Sequence, residues 1–178
     1  MDKLLKINNK LVKSENYIVC IKDTPVDPYN PLGLPANTVR VRTSNGNAPV
    51  RGDFTSYQTA TLVPGTSDVY DVFKDGQSFQ DLLQNSNNIV EVLGANTTGI
   101  TNMRSMFGNC TSLTTVPLFD TSNITEMYGM FYNCTSLTSV PLFNTNKVTS
   151  ITTTFFGCTS VQSGALALYQ QASTQANP

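Results

Sequence analysis

The sequence predicts an α/β solenoid of about four 24-residue coils, preceded by a small β-rich N-terminal unit. Residues 102–125 read NMRSMFGNCTSLTTVPLFDTSNIT, and residues 126–149 read EMYGMFYNCTSLTSVPLFNTNKVT, so the two align over 24 positions without an insertion. Residues 78–101 and 150–173 fit the same period with fewer identities. A fixed period of about 20 to 50 residues indicates structural units that stack along one axis.

Each repeat combines a helical pattern with a strand pattern. Met103, Met106 and Phe107 are spaced i, i+3 and i+4, which is typical of one apolar face of a helix, so these methionines are predicted core residues. The pattern L-x-x-V-x-L from Leu113 to Leu118 matches the L-x-x-L-x-L core of a leucine-rich repeat, in which a short strand joins a parallel sheet. The repeats therefore predict a short leucine-rich-repeat stack.

Two features depart from the usual leucine-rich pattern. Threonine occupies positions 97, 121 and 145, where Asn or Cys normally follows the leucines. Pro117 and Pro141 lie inside the predicted strands, and proline cannot donate a backbone hydrogen bond to a sheet. The predicted parallel sheet is therefore short and narrow.

The N-terminal part is predicted to be β-rich and separated from the repeats by composition, since residues 1–77 hold seventeen of the 23 charged residues. Its predicted strands are Tyr17–Ile21, Thr38–Thr43, Thr55–Val63 and Val69–Phe73. A capping box at Ser78–Asp81 is expected to open the first repeat's helix. The predicted domains are 1–77 as an attachment and capping unit, 78–173 as the solenoid with a helical C-terminal cap over 163–171, and 174–178 as a polar tail. The sequence leaves open whether the native chain continues beyond Pro178.

The composition excludes several functional classes. Eleven Lys and Arg against twelve Asp and Glu give a formal charge of −1, so no basic field is available for nucleic acid or anionic lipid. The chain has no His, which removes histidine-based catalysis and imidazole metal sites. No segment approaches the roughly 18 apolar residues of a membrane span, so membrane insertion is not expected. The first ten residues lack the apolar stretch of a secretory signal, which predicts either a removed signal or another route outward, such as virus assembly.

Three cysteines recur at the repeat period. Cys110, Cys134 and Cys158 are 24 residues apart, whereas zinc sites use closely paired ligands such as C-x2-C. A buried reduced ladder, one disulfide and a metal site remain open, and the equal spacing favours the ladder, with no metal and no cofactor. The core ladder is predicted to include a second column of side chains, namely Phe107, Phe131 and Phe155.

The candidate binding face consists of residues that flank the predicted strand core: Thr114, Thr115, Thr138 and Ser139. Stacked, uncharged hydroxyls suit hydrogen bonding to a sugar or a polar protein surface, although Thr and Ser also favour strands without any ligand. The tripeptide Arg51-Gly52-Asp53 is read by integrins, but matches of three residues are common by chance, and an ordinary turn is the favoured interpretation.

No catalytic residue is predicted. The carboxylates near polar neighbours are Asp53, Asp71, Asp120 and Glu126, and no spacing forces two of them together, as acid–base hydrolysis of a glycan would need. Phosphate-binding glycine loops and the GxSxG nucleophile motif are also missing from the sequence. The sequence therefore favours a protein that is not an enzyme over a glycan-active one.

The repeat motif MxxMFxNCTSLTxVPLFxTxxVT is similar to BspA-type leucine-rich repeats, also described as mycoplasma-type lipoprotein repeats. The resemblance covers residues 78–173. These repeats occur in surface proteins of gut and oral bacteria and in predicted proteins of the phages that infect them. The resemblance implies a leucine-rich-repeat solenoid on a surface-exposed protein with a binding or adhesive role, and it implies no enzyme activity.

The leading hypothesis is a non-enzymatic virion protein, such as a phage head fibre, decoration or tail-associated protein, that displays the repeats as a binding module. The alternative is a bacterial cell-surface adhesin of the BspA type. The expected partners are other virion or surface proteins, contacted through residues 1–77, and a host surface glycan or protein. The low charge leaves little repulsion between copies, so a homo-oligomer is expected.

Overall fold

A computed structural model of the chain describes residues 3–7, 10–14, 26–49 and 58–168. Its strands are β1 (Lys3–Ile7), β2 (Lys10–Ser14), β3 (Thr38–Thr43), β4 (Gln58–Leu62), β5 (Val69–Lys74) and β6 (Ile89–Asn96). Strands β1 and β2 form an antiparallel pair, and the other strands form one antiparallel sheet in the order β4-β5-β3-β6.

The centre of the four-stranded sheet follows from simple alternation along β3. Val39 and Val41 are fully buried, whereas the arginines between and after them lie on the opposite face. There Arg40 donates two hydrogen bonds to Asp71 on β5, at 2.6 and 2.8 Å. This pattern confirms the predicted strand at Thr38–Thr43.

The other N-terminal predictions have different outcomes. The strand predicted over 69–73 is confirmed as β5, which continues to Lys74. Strand β4 lies within the predicted range 55–63, of which residues 55–57 lie outside the described part of the chain. The predicted strand Tyr17–Ile21 also lies outside the described residues.

The predicted α/β solenoid is wrong. The fold is a small antiparallel β-sheet of four strands with almost no helix, and the described residues contain a single helical turn at 165–168. That turn falls within the C-terminal helix predicted over 163–171, of which the described part ends at 168. The predicted capping box is also wrong, because turns and no helix follow Ser78. The Gln80 N–H donates to the Ser78 hydroxyl at 3.1 Å, as it would in a turn.

The apolar spacing that predicts a helix belongs instead to a series of turns. Ser105 and Asn109 have φ angles of 50° and 58°, in the left-handed region that interrupts an α-helix. Their N–H groups donate to the next repeat, to the carbonyls of Tyr128 at 2.9 Å and Tyr132 at 2.7 Å. The backbone donors of this segment thus alternate between the next repeat and carbonyls three residues earlier, as in Met106 N to Met103 O, and no helical i to i−4 bonds form.

Consecutive repeats contact each other in register along residues 77–163, hereafter the repeat stack. Isolated parallel bridges join residues 24 positions apart, in one series through Asn102 and in another through Thr115. The second series starts on β6, where Glu91 bridges to Thr115. Strand β6 therefore pairs with β3 on one side and with the next repeat on the other, so the sheet covers the first repeat's open edge.

One apolar core runs from the sheet through the repeats. It includes Val39 and Val41 of β3, the buried Phe107 and Phe131, and Leu168 in the helical turn. Because β6 comes from the predicted repeat domain and β3 from the predicted N-terminal unit, the two share this core. The division of the chain at residue 77 stays a prediction.

Candidate functional site

The predicted hydroxyl face lies on the surface of the repeat stack, where Thr114, Thr115 and Thr138 are exposed and Ser139 is half-buried. Two of its hydroxyls are already engaged: Thr114 Oγ1 donates to the Val90 carbonyl at 2.7 Å, and Thr138 Oγ1 donates to the Thr114 carbonyl at 3.2 Å. A ligand could therefore use these two hydroxyls only as acceptors. The role of this face in binding stays a prediction.

A cleft opens beside two equivalent irregular segments of neighbouring repeats. Leu118 and Leu142 are 44% and 58% exposed, and Tyr29 from the N-terminal part lies at the same cleft with 42% of its surface exposed. The cleft has a volume of about 420 Å³. Its remaining lining consists of Phe119, Phe143, Asp120, Thr121, Ser122, Asn144 and Asn146.

The exposed leucines correct the leucine-rich assignment. The pattern from Leu113 to Leu118 predicts that both leucines point into the core, but Leu118 is exposed and Phe119 is buried in its place. Pro117 directly precedes Leu118, and the chain from 116 to 120 has no ladder hydrogen bonds, so the two-residue alternation of a strand is not maintained. Pro141 has the same effect in the next repeat.

The floor and rim of the cleft are well organised. The buried rings of Phe119 and Phe143 lie 4.8 Å apart beneath the leucines. On the rim, Asp120 Oδ1 accepts the Ser122 N–H at 2.9 Å, and Asn144 Oδ1 accepts the Asn146 N–H at 3.0 Å. An apolar centre with a polar rim can bind a side chain.

The other predicted carboxylates do not join this site. Asp71 is paired with Arg40, and Glu126 Oε1 accepts the Tyr128 N–H at 2.8 Å. Asp53, with the rest of the Arg51-Gly52-Asp53 tripeptide, lies outside the described residues.

The family description "Mycoplasma protein of unknown function, DUF285" matches residues 67–175. The chain belongs to this family. Its domain is found in BspA-like mycoplasma surface repeat proteins, which agrees with the resemblance seen in the sequence at the level of the family. Neither the curated proteins nor the solved structures provide a match to the chain. The repeat stack and the two segments that carry Leu118 and Leu142 lie inside the matched range.

The phenylalanines of the predicted ladder lie in one column of the DUF285 region. The rings of Phe107 and Phe131 are 5.5 Å apart and within 4° of parallel, and those of Phe131 and Phe155 are 5.6 Å apart and within 6°. Phe107 and Phe131 are fully buried, whereas Phe155 in the last repeat is half-buried.

The repeat cysteines show the same decrease in burial toward the last repeat. Cys110 and Cys134 are buried, Cys158 is half-buried, and all three are free thiols. Each thiol donates to a carbonyl 27 residues earlier, for example Cys134 Sγ to Phe107 O at 3.0 Å. Desolvation raises the pKa of Cys110 to about 12 and raises the pKa of Cys134 as well. The described residues contain no cluster that could hold a metal ion.

The cysteine pKa values predict a loss of stability in alkali. An unfolded thiol ionises near pH 8.5, whereas native Cys110 keeps its proton to about pH 12. Between these values the unfolded state binds fewer protons, so the free energy of unfolding should fall by about 1.4 kcal/mol per pH unit for each such thiol. Urea titrations from pH 8 to pH 11 measure the slope, and Cys110→Ala should make it shallower. Equal slopes in the two proteins would contradict the assignment.

Two columns of polar side chains, one of asparagines and one of threonines, were not predicted from the sequence. Asn109 Nδ2 donates to Asn85 Oδ1 at 2.9 Å, and Asn133 Nδ2 donates to Asn109 Oδ1 at 3.1 Å. Thr97 and Thr121, in the position where a leucine-rich repeat has Asn or Cys, are buried and donate to carbonyls of the following repeat. The available signal was the asparagine itself, which recurs at 24 residues and tolerates the left-handed backbone.

Proposed function

We propose that this chain is a non-enzymatic, surface-exposed binding protein whose cleft receives an apolar side chain from a partner polypeptide. The observation that carries the proposal is the pair of exposed leucines, Leu118 and Leu142, placed side by side by the stacking of two repeats and bordered by Tyr29. Clustered exposed apolar side chains within a polar rim are typical of interaction sites.

Charge defines the partner further. Asp120 lies on the rim and has no ion pair among the described residues, so a Lys or Arg next to the partner's apolar side chain would meet an available carboxylate. Such a pair at an exposed rim contributes more to specificity and association rate than to affinity. The apolar contact in the cleft supplies the main attraction.

The cleft is small, which favours binding by several copies. Weak single contacts become effective when copies are linked, because later binding events are intramolecular. Self-association or attachment through residues 1–77 is part of the proposal for this reason. None of the helical segments among the described residues has the length and apolar character to cross a membrane.

The family match favours a bacterial cell surface as the setting, because the domain is found in BspA-like mycoplasma surface repeat proteins. The virion setting stays a prediction. Protease shaving of intact cells and of purified particles, followed by peptide mass spectrometry, would distinguish the two.

A displayed random peptide library tests the binding proposal. Peptides selected on the full chain should share an apolar residue next to Lys or Arg, and Leu118→Asn with Leu142→Asn should weaken their binding by about tenfold or more. Leu62→Asn is the matched control, since Leu62 is 43% exposed on β4 and does not line the cleft. Peptides that bind the double variant as tightly as the parent would overturn the proposal.

A further inference from the structure

A stacked aromatic pair with one exposed ring lies at the end of the repeat stack, apart from the cleft. The rings of Tyr132 and Phe156 are 5.4 Å apart and within 8° of parallel. Phe156 is 61% exposed, and among the described residues no other ring stacks on it. Its outer face is therefore a flat apolar surface open to solvent, carried on the rigid column of a repeat.

An amide oxygen lies against Gly157, the residue that follows Phe156 in the chain. Asn133 is the last member of the asparagine column, and its Nδ2 is used in the bond to Asn109. Its Oδ1 lies over Gly157, where the Cβ of any other residue would overlap it. Within the described residues this oxygen accepts no hydrogen bond, so it keeps its acceptor capacity one residue along the chain from Phe156.

We propose that Phe156, supported by Tyr132 and accompanied by Asn133 Oδ1, is a binding platform for the pyranose rings of neutral glycans. The apolar C–H face of a pyranose can lie flat on an aromatic ring, while its equatorial hydroxyls point sideways and donate to an acceptor at the ring edge. The stacked partner ring holds Phe156 in one orientation, so little side-chain entropy remains to be lost on binding.

Charge distinguishes a glycan from other flat ligands. A nucleic acid would need cations along its phosphates, and the chain carries a net charge of −1. The Arg104 guanidinium lies over the Tyr128 ring, 4.4 Å from its centroid, and not over Tyr132 or Phe156. The platform itself is formed by neutral groups, which suits a neutral ligand.

Chemical-shift titration of the full chain tests the platform. The probes are maltohexaose, chitohexaose and mannohexaose, with a single-stranded oligothymidylate and a proline-rich peptide as competitors of other classes. At least one oligosaccharide should bind with millimolar or tighter affinity and shift the Tyr132, Asn133 and Phe156 signals.

Variants locate the binding. Phe156→Ala should reduce the affinity about tenfold, Phe156→Tyr should retain it, and Asn133→Gly should reduce it severalfold while keeping a residue suited to the left-handed backbone. Phe73→Ala is the matched control, since Phe73 is 38% exposed on β5. Absence of binding by all three oligosaccharides, binding unaffected by Phe156→Ala, or a preference for the peptide or the oligonucleotide would each overturn the proposal.

Discussion

Replacing Phe131 by alanine is expected to lower the free energy of unfolding by about 3–5 kcal/mol. Phe131 is fully buried between the parallel rings of Phe107 and Phe155, and the ring of Phe143 lies 6.5 Å away. Truncation removes three ring contacts and leaves a cavity that the stacked backbone cannot close, because hydrogen bonds fix the neighbouring repeats on both sides. Urea unfolding followed by circular dichroism measures the loss.

Phe156→Ala is the matched control. Phe156 directly follows Phe155, whose ring stacks on Phe131. Its side chain is mainly exposed and has one ring neighbour, so the expected loss is about 1 kcal/mol or less. Equal losses in the two variants would mean that the phenylalanine column is not the core of the stack.

The repeat period could be predicted because identical residues recur every 24 positions, and the structure pairs residues at that distance. The helix could not be excluded in the same way. The spacing of Met103, Met106 and Phe107 places three side chains on one side of a helix, but it does the same for consecutive turns with left-handed residues between them. The left-handed φ angles at Ser105 and Asn109, and the donation of every second N–H to the next repeat, distinguish the two conformations.

The candidate cleft was hidden by a similar ambiguity. Val-Pro-Leu-Phe reads as the end of a leucine-rich strand when every second apolar residue is assigned to the core. Pro117 ends the strand alternation, so Phe119 turns inward and Leu118 outward. The contribution of Tyr29 could not be predicted, because it comes from a connector almost ninety residues earlier in the chain.

Strand β3 shows the opposite case. Its valines and arginines alternate without interruption, so pattern and structure agree from Thr38 to Thr43. What the pattern does not contain is the neighbour of the strand: β3 pairs with β6, which the sequence assigns to the first repeat. Local periodicity determines which face is buried, whereas the order of strands depends on how the whole sheet covers the stack.

A change in the register between repeats is expected to have the largest effect on the stability of the protein. An additional copy of residues 126–149, inserted between Thr149 and Ser150, is expected to fold cooperatively with a stability equal to or above that of the parent. The copy would meet the same neighbours that the present repeat has, since its N–H donors would face the carbonyls of residues 150–156, as those of Met127 and Phe131 now do. In stacked repeats the stability is approximately a sum over neighbouring units.

A second protein carries the same inserted copy with one residue deleted, the residue equivalent to Cys134. It is expected to lose the cooperative unfolding transition. That position lies in a tight turn between Asn133 and Thr135, where a gap of one residue, about 3.8 Å of chain, cannot be spanned by stretching. The residues of the copy after the gap would then be displaced by one position relative to the repeat before them, which separates the interrepeat donors from their acceptors. A full-length copy with alanine at that position controls for the lost side chain and should still unfold cooperatively. Thermal and urea unfolding of the three proteins measures the difference, and a cooperative transition in the shortened protein would show that repeat contacts do not depend on register.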